Sequence, residues 1–340
     1  MGTMGKGESV RVMKTIISPV DKALLKAELN EKTFLRETNR AGNHLYVVGP
    51  ESVNVIREIG RLREIAFRDG GGGTGEELDI DQFDTDPAYG YRQLVLWDPD
   101  AEEIIGGYRF CLCDRAVYTR EGQPILTSSH MFEFSRKFLN DILPYTLELG
   151  RSFISLDYQS SKAGSKMLYA LDNLFDGIAA LGVLYQSRIK FLFGKMTIYR
   201  EYPQEAREMI MVFLKKYFGK GSRLIHIRKE VKVENPRKYL RLFKSGNYKD
   251  DYKILKTEVM KYGVSIPPLV NTYMNLSPTM IYFGTGINDE FGDIYDSGIL
   301  LAFDELYPEK IDRHSKSFAR QGLRKIKAIL KNFQKIHKVK

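Results

Sequence analysis

Apolar positions along the chain recur with two periods, and switches between them mark the predicted elements. "HLYVVG" (44–49) reads as a short strand. Val55, Ile59, Leu62 and Ala66 then recur at three- and four-residue spacing, which predicts a helix over 51–67 with one apolar face. "YRQLVLWD" (91–98) and "EIIGGYRFCLC" (103–113) read as strands joined by the turn "PDAE". A helix is predicted around 131–142, a strand over 145–156, a helix over 166–182, a strand over 189–199 and a helix over 203–219. Farther on, a strand is predicted at Gly298–Asp304. Strands interleaved with helices in this order imply an α/β (α+β) chain with a mixed sheet covered by helices on both faces.

Between the first helix and the hairpin lies "RDGGGGTGEELDIDQFDTDPAYG" (68–90), a glycine-rich and then acidic loop. It is long for a connector, which marks it as functional or mobile. No Lys-Ser/Thr follows its glycines, so it is not a phosphate-binding loop. The division expected from the pattern is a helical, partly loose leader (1–44), a core (45–225), a lobe completing the sheet (226–312) and a terminal helix (313–340).

"LELGRSFI" (147–154) breaks the apolar rule for a buried strand, because Glu148 and Arg151 stand inside it. Alternation would send positions 148 and 151 to opposite faces. One inserted residue would bring both to the same side, and Gly150 is the residue type that a β-bulge favours. The stretch is therefore expected to be a bent strand that aims a carboxylate and a guanidinium, as an ion pair, at something.

Composition sets outer bounds. Among 340 residues, 43% are hydrophobic and 12% aromatic, as in a globular protein and not a disordered one. The first residues lack the apolar core of a signal peptide, and no run of about 18 apolar residues suits a spanning helix, so a cytoplasmic protein is expected. Cys111 and Cys113 are too close for a sensible disulfide and have no nearby histidine, so they are expected to be plain thiols, with no metal site. The net charge of +9 sits in the tail: residues 313–340 hold ten Lys or Arg and no acid, leaving the rest at −1. Leu323, Ile326, Leu330 and Phe333 line one helical face there. A basic amphipathic helix suits an anionic membrane surface, here the inner membrane, or an acidic protein partner; the competing reading is a solvated terminal helix packed on the body. No nucleic-acid reader motif accompanies it.

Four charged sets stand in apolar surroundings: Arg63 with Phe67 (R-x-x-x-F), Asp81 with Asp84 (D-x-x-D), Arg109 (G-x-x-R), and Glu148 with Arg151 (E-x-x-R). In that order they resemble the acyl-homoserine-lactone synthases and their relatives, the ornithine and glycine N-acyltransferases of aminolipid synthesis, often called hemolysin-like. Both are branches of the GNAT acyltransferase fold. "PPLVNTYMNLSPTM…FGTGINDEFGDIYDSGILLAFDEL" is similar to the second half of the aminolipid group, which lactone synthases lack. The resemblance covers roughly 45–315; "NTYMNLSP" departs from the ornithine-group text.

The resemblance implies a sheet splayed between its fourth and fifth strands, with the donor's pantetheine arm in the gap. It implies that Gly150, Ser152 and Phe193 line that arm. CoA-using members cradle a pyrophosphate with a glycine-rich loop, whereas "DYQSSKAGSK" lacks that pattern. Ser160, Ser161, Lys162 and Ser165 suit the single phosphate of acyl carrier protein, so the carrier is expected as co-substrate ahead of acyl-CoA, with Lys215, Lys216, Lys220 and Arg223 as a docking area and no bound cofactor.

The acceptor, an ammonium at neutral pH, must lose a proton before attack. Glu148 is the expected base, worth about 10²–10⁴-fold. Arg109 and Arg151 are expected to bind the acceptor's carboxylate, and Arg63, Phe67, Asp81 and Asp84 to shape its pocket. No histidine has an Asp five residues on, so a separate O-acyltransferase would add any second chain. The competing expectations are a lactone-synthase-like or CoA-dependent acetyltransferase, or a non-enzymatic membrane-binding protein.

Overall fold

All eight residues of the strand Tyr91–Asp98 are buried, because both faces of the sheet around it are covered. The computed structural model describes residues 13–159, 165–221, 223–320, 328–331 and 333. Its strands are β1 (Phe34–Glu37), β2 (His44–Val48), β3 (Tyr91–Asp98), β4 (Glu103–Leu112), β5 (Phe132–Phe134), β6 (Thr146–Ile154), β7 (Phe191–Ile198), β8 (Ile225–Ile227), β9 (Ile281–Asn288) and β10 (Ile294–Ala302). The helices are α1 (Lys22–Glu28), α2 (Val53–Asp69), α3 (Gln82–Thr85), α4 (Ser165–Leu184), α5 (Gln204–Phe218), α6 (Pro236–Leu240), α7 (Tyr248–Met260), α8 (Pro268–Met274) and α9 (Pro308–Ala319). The main sheet runs β1-β2-β3-β4-β6-β7-β10-β9, and β5 pairs separately with β8. Neighbours are antiparallel except β6 and β7, which are parallel.

Alternation along β3 divides the core. Val95 and Trp97 pack with Val55, Ile59 and Leu62 of α2. Leu94 and Leu96 face the other way, onto Leu174, Ile178 and Leu181 of α4 and Phe213 of α5. Full burial of each such side chain stabilises the fold by about 1.5–3 kcal/mol. Gly177 lets α4 sit close on the sheet, since a Cβ there would lie 2.6 Å from Leu94 Cδ2.

Two expected elements differ. The segment read as a helical leader contributes β1, whose antiparallel pairing to β2 extends the sheet edge. The helix expected around 131–142 starts late: Phe132–Phe134 form β5, and only a short, wide helical stretch at Phe138–Ile142 follows. Phe132 and Phe134 point inward while Glu133 is exposed, a period of two that the longer helical window hid.

The bend in β6 exists, one residue beyond its expected place. β4–β6 pairing passes from Gly107↔Phe153 to Arg109↔Gly150, two steps on one strand against three on the other. The extra residue leaves Arg151 in the left-handed region (φ 48°), while Gly150 has an ordinary negative φ. A left-handed arginine is uncommon and marks a constrained position. The bulge sends both Glu148 and Arg151 to the α2-side face. Leu147 and Leu149 pack with the α4 cluster, and Phe153 with the α2 cluster.

β6 and β7 pair only from Thr146↔Phe191 to Leu149↔Gly194. Beyond that point the strands part, so residues 150–154 have no ladder partner on the β7 side. β10 closes the far flank along the whole of β7, from Ile198↔Tyr295 to Phe191↔Ala302.

At the other end, α9 begins before the basic tail, and Phe318, Ile329 and Phe333 are buried in the main core. Leu330 packs partly buried against it, while Leu323 and Ile326 lie outside the described residues. No helix among the described residues is long and apolar enough to cross a membrane.

Candidate active site

Where β6 leaves β7, a cavity of about 300 Å³ opens on the α2 side of the sheet. Arg109, Gly150, Arg151, Lys195, Thr127 and His130 are among its walls. Asp81, Phe83, Asn288, Glu290 and Phe291 complete much of the rest.

The four charged sets meet beside it. α3 is organised by a capping box: Asp81 caps the helix, and the Asp84 carboxylate accepts the Asp81 backbone N–H (3.1 Å). That fixes both carboxylates toward the sheet. Asp84 Oδ1 accepts from Arg63 Nη1 (3.0 Å) and Gln93 Nε2 (2.8 Å), while Asp84 Oδ2 and Asp81 Oδ1 accept from Arg109 Nη1 (2.9 and 2.7 Å). Arg151 Nε lies 3.0 Å from Asp79 Oδ2, and its Nη2 lies 4.0 Å from Asp81. Three guanidinium groups thus face three carboxylates. Burial would raise the Asp84 carboxyl, but Arg63 and Arg109 outweigh it and hold Asp84 well below the usual carboxylate range. Asp79 goes the other way: burial raises it despite the nearby Arg151.

This geometry sorts the expected residues. Arg109 and Arg151 reach the cavity, as do Asp81 and Gly150. Arg63 does not: its side chain is 1% exposed and engaged by Asp84 and Gln93, behind the wall. Phe67 is also buried, its ring 5.0 Å from that of Phe291, which does face the cavity. Asp84 supports the wall without lining it. Phe193 is not in the cleft either, for it centres a cluster with Phe132, Phe134, Phe138 and Phe283. Ser152 falls on the opposite face and bonds to Tyr108. Ser160, Ser161 and Lys162 lie outside the described residues, and of Ser165 only its place at the start of α4 is described.

Glu148 and Arg151 form no ion pair with each other. Arg151 is held by Asp79, with its Cζ 4.2 Å from the centre of the Phe291 ring. Glu148 lies beneath the cavity at 2% exposure and accepts three hydroxyls: Tyr91, Ser128 (2.6 Å) and Thr127 (3.3 Å). Tyr91 in turn accepts the Thr127 backbone N–H (2.9 Å). Burial, then the neighbouring Glu148, pushes the Tyr91 phenol well up, so it remains a donor. The expectation of a mutual pair fails because the bulge spreads the two side chains over different acids and hydroxyls.

The chain is 52% identical over 313 residues to a glycine N(alpha)-acyltransferase of Phocaeicola vulgatus, covering 91% of this chain and 95% of that protein. The chain belongs to the same family of N-acyltransferases. A glycine N(alpha)-acyltransferase of Bacteroides thetaiotaomicron is likewise 52% identical, over 90% of this chain and 91% of its own. Residues 62–169, from α2 through β6 to the start of α4, match the acetyltransferase (GNAT) domain family. FeeM, an N-acyl amino acid synthase from uncultured soil microbes, superposes with a TM-score of 0.38 at 10% identity, over 77% of this chain and 91% of that one. The fold and enzyme class expected from the sequence thus hold: this N-acyltransferase carries a GNAT sheet, open between β6 and β7.

Several residues in the wall or directly behind it escaped sequence reasoning. Lys195 and Asp296 are charges inside apolar strands, the same signal that marked Glu148, and their side chains meet at 3.1 Å. Asp79 precedes the D-x-x-D pair by two positions and carries Arg151. His130, in the loop just before β5, stands in the cavity wall, 3.2 Å from Asn288 Oδ1.

Proposed function

We propose that this N-acyltransferase forms an amide between a fatty acyl group, a 3-hydroxy acyl chain among the candidates, and the amine of glycine, with acyl carrier protein as donor. One observation carries the reading. A small cavity walled by Arg109, Arg151 and Lys195 sits where β6 parts from β7, in a chain closely similar to two glycine N(alpha)-acyltransferases. The open edges of residues 150–154 suit the amide-bearing pantetheine arm, which takes up strand-like hydrogen bonds. The thioester then lies at Gly150, next to the cations.

Arg109, Arg151 and Lys195 each pair with a supporting carboxylate and each reach the cavity, so together they attract the acceptor's carboxylate. The carrier reading rests on the missing pyrophosphate pattern in 157–166 and on exposed Lys215, Lys220 and Arg223. Lys216 contributes less, since its ammonium is taken by Asp251 (2.6 Å). An acidic carrier would dock there by long-range attraction. The buried apolar side chains of the tail leave its cations, rather than an apolar face, for any anionic inner-membrane surface. The product carries one acyl chain, so a separate O-acyltransferase would complete a two-chain lipid.

The test is direct. Purified protein is given glycine or ornithine with acyl-carrier-protein or acyl-CoA thioesters, and products are identified by mass spectrometry. N-acylglycine from the carrier thioester is expected. Preference for ornithine, or release of free fatty acid, would refute the assignment.

A further inference from the structure

The acyl transfer proposed above needs a proton acceptor, and the hydrogen bonds around the cavity single one out. We infer that His130 takes the proton from the attacking amine at its Nδ1, and that Asn288 and Asp296 hold it in the tautomer that makes this possible. This inference rests on the amide-forming reading and adds the identity of the base.

The chain of contacts runs from the sheet to the cavity. Asp296, on β10, accepts the Thr197 hydroxyl at Oδ1 (2.6 Å), and Asn288 Nδ2 (2.9 Å) and Lys195 Nζ (3.1 Å) at Oδ2. Burial alone would raise this carboxyl, but Lys195 and the two hydrogen bonds outweigh it and hold it below the usual range. It is therefore an ionised acceptor, and the Asn288 amide must turn its NH₂ toward it. That orientation leaves Oδ1 facing His130 Nε2, 3.2 Å away. A carbonyl oxygen only accepts, so Nε2 carries the proton and Nδ1 keeps a lone pair.

The ring faces the same cavity as Arg151, Lys195 and Gly150. Nδ1 makes no hydrogen bond among the described residues, and the Glu290 carboxylate lies 4.0 Å from it. Burial first, and Lys195 second, lower the imidazole below its ordinary value, which keeps it neutral and able to accept a proton at pH 7.

Glu148 has a different place in this arrangement. Its carboxylate is occupied by Tyr91, Thr127 and Ser128, the last only two residues before His130. It is a positioning residue that clamps the loop carrying the base, as Asn288 and Asp296 position the ring.

The protons balance as follows. Glycine enters as the ammonium, and His130 Nδ1 removes one N–H proton. The freed electron pair forms the C–N bond at the thioester carbonyl. Collapse breaks the C–S bond, and the thiolate takes up the second proton lost by nitrogen. The first proton passes from His130 to solvent, so thioester plus ammonium becomes amide, thiol and one proton.

The experiment compares wild type with His130→Gln and Asn288→Leu, each checked for folding by thermal melting. At pH 7 His130→Gln is expected to lower kcat about 10²–10⁴-fold. Wild-type activity should fall as pH drops through a value below the usual 6.5 of imidazole. The charged groups setting that value are Lys195 on β7, Asp289 and Glu290 after β9, and Asp296 on β10. In His130→Gln this limb vanishes, and activity climbs only toward the amine's own pKa.

Asn288→Leu should shift the limb and scramble the tautomer, an effect that mere loss of packing would not produce. Nitrogen-15 NMR of the wild-type ring supplies a readout independent of turnover: Nε2–H with bare Nδ1 is expected at pH 7. Two results overturn the inference: His130→Gln within threefold of wild type, or a ring protonated at Nδ1. Loss of the acid limb in Glu148→Gln but not in His130→Gln would return the base to Glu148. A wild type that makes no amide with any amino acid tells against the function itself, and the tautomer then decides the geometric claim alone.

Discussion

Arg63 of α2 and Asp84 of α3 meet at 3.0 Å with both side chains 1% exposed, and Asp84 passes the contact on to Arg109 at 2.9 Å. The loop over 70–85 is thereby pinned to the helix and to the sheet at once. Breaking one partner of such a buried pair leaves an uncompensated charge, which costs about 3–5 kcal/mol. Arg63→Met is therefore expected to lower the urea midpoint while leaving the KM for glycine in the surviving folded protein near wild type. A raised KM with an unchanged midpoint would place Arg63 against the substrate instead.

The same carboxyl gives a pH prediction with a definite sign. Asp84 has its folded pKa depressed, so its contribution is fully present above the unfolded value of about 3.9 and is lost as pH falls toward the folded value. Asp79, raised by burial, has the opposite sign: its contribution is present below the unfolded value and is lost as pH rises through the folded one. Denaturation free energies between pH 5 and 2.5 should thus fall more steeply for wild type than for Asp84→Asn. Parallel curves would remove the carboxyl from the pH response.

How much of this was legible in the chain depends on the range of each signal. Strands such as 91–98 and helices such as 51–67 were readable because their apolar period is local and their burial near total. Opposite charges inside apolar text led to Glu148, Arg151 and Arg109 for the same reason. Partnership was not readable. Arg63 looks like an exposed helix charge until α3 folds over it, and His130 gains a place in the wall only once Asn288, 158 residues away, lies beside it. The bulge was inferred from the spacing of Glu148 and Arg151 and placed at Gly150, yet it falls on Arg151, which Asp79 and the Phe291 ring hold in a conformation that glycine would adopt without strain.

Arg151 separates backbone strain from binding. Its guanidinium lines the cavity, so Arg151→Ala should raise the KM for glycine by the loss of a charge-assisted hydrogen bond, about 1.5–3 kcal/mol or roughly 10–150-fold. Arg151→Gly should lose the same affinity while relieving the left-handed backbone, so its melting temperature should exceed that of the alanine variant. Equal KM values for wild type and both variants would remove Arg151 from the acceptor site.

Gly150 offers the sharpest test of the slot between β6 and β7. Its φ is not in the left-handed region, and a Cβ there would meet only Thr127 Oγ1, at 3.7 Å, an ordinary contact. The protein itself therefore has no need of glycine at this position, and valine suits a strand better. The proposed donor placement needs it, because Gly150 lines the wall where the thioester carbonyl would lie. Gly150→Val should keep the wild-type melting temperature or exceed it, and lower kcat/KM for the acyl donor at least tenfold, with the KM for glycine less affected. Full activity in a stable Gly150→Val protein would mean that the thioester arm runs elsewhere.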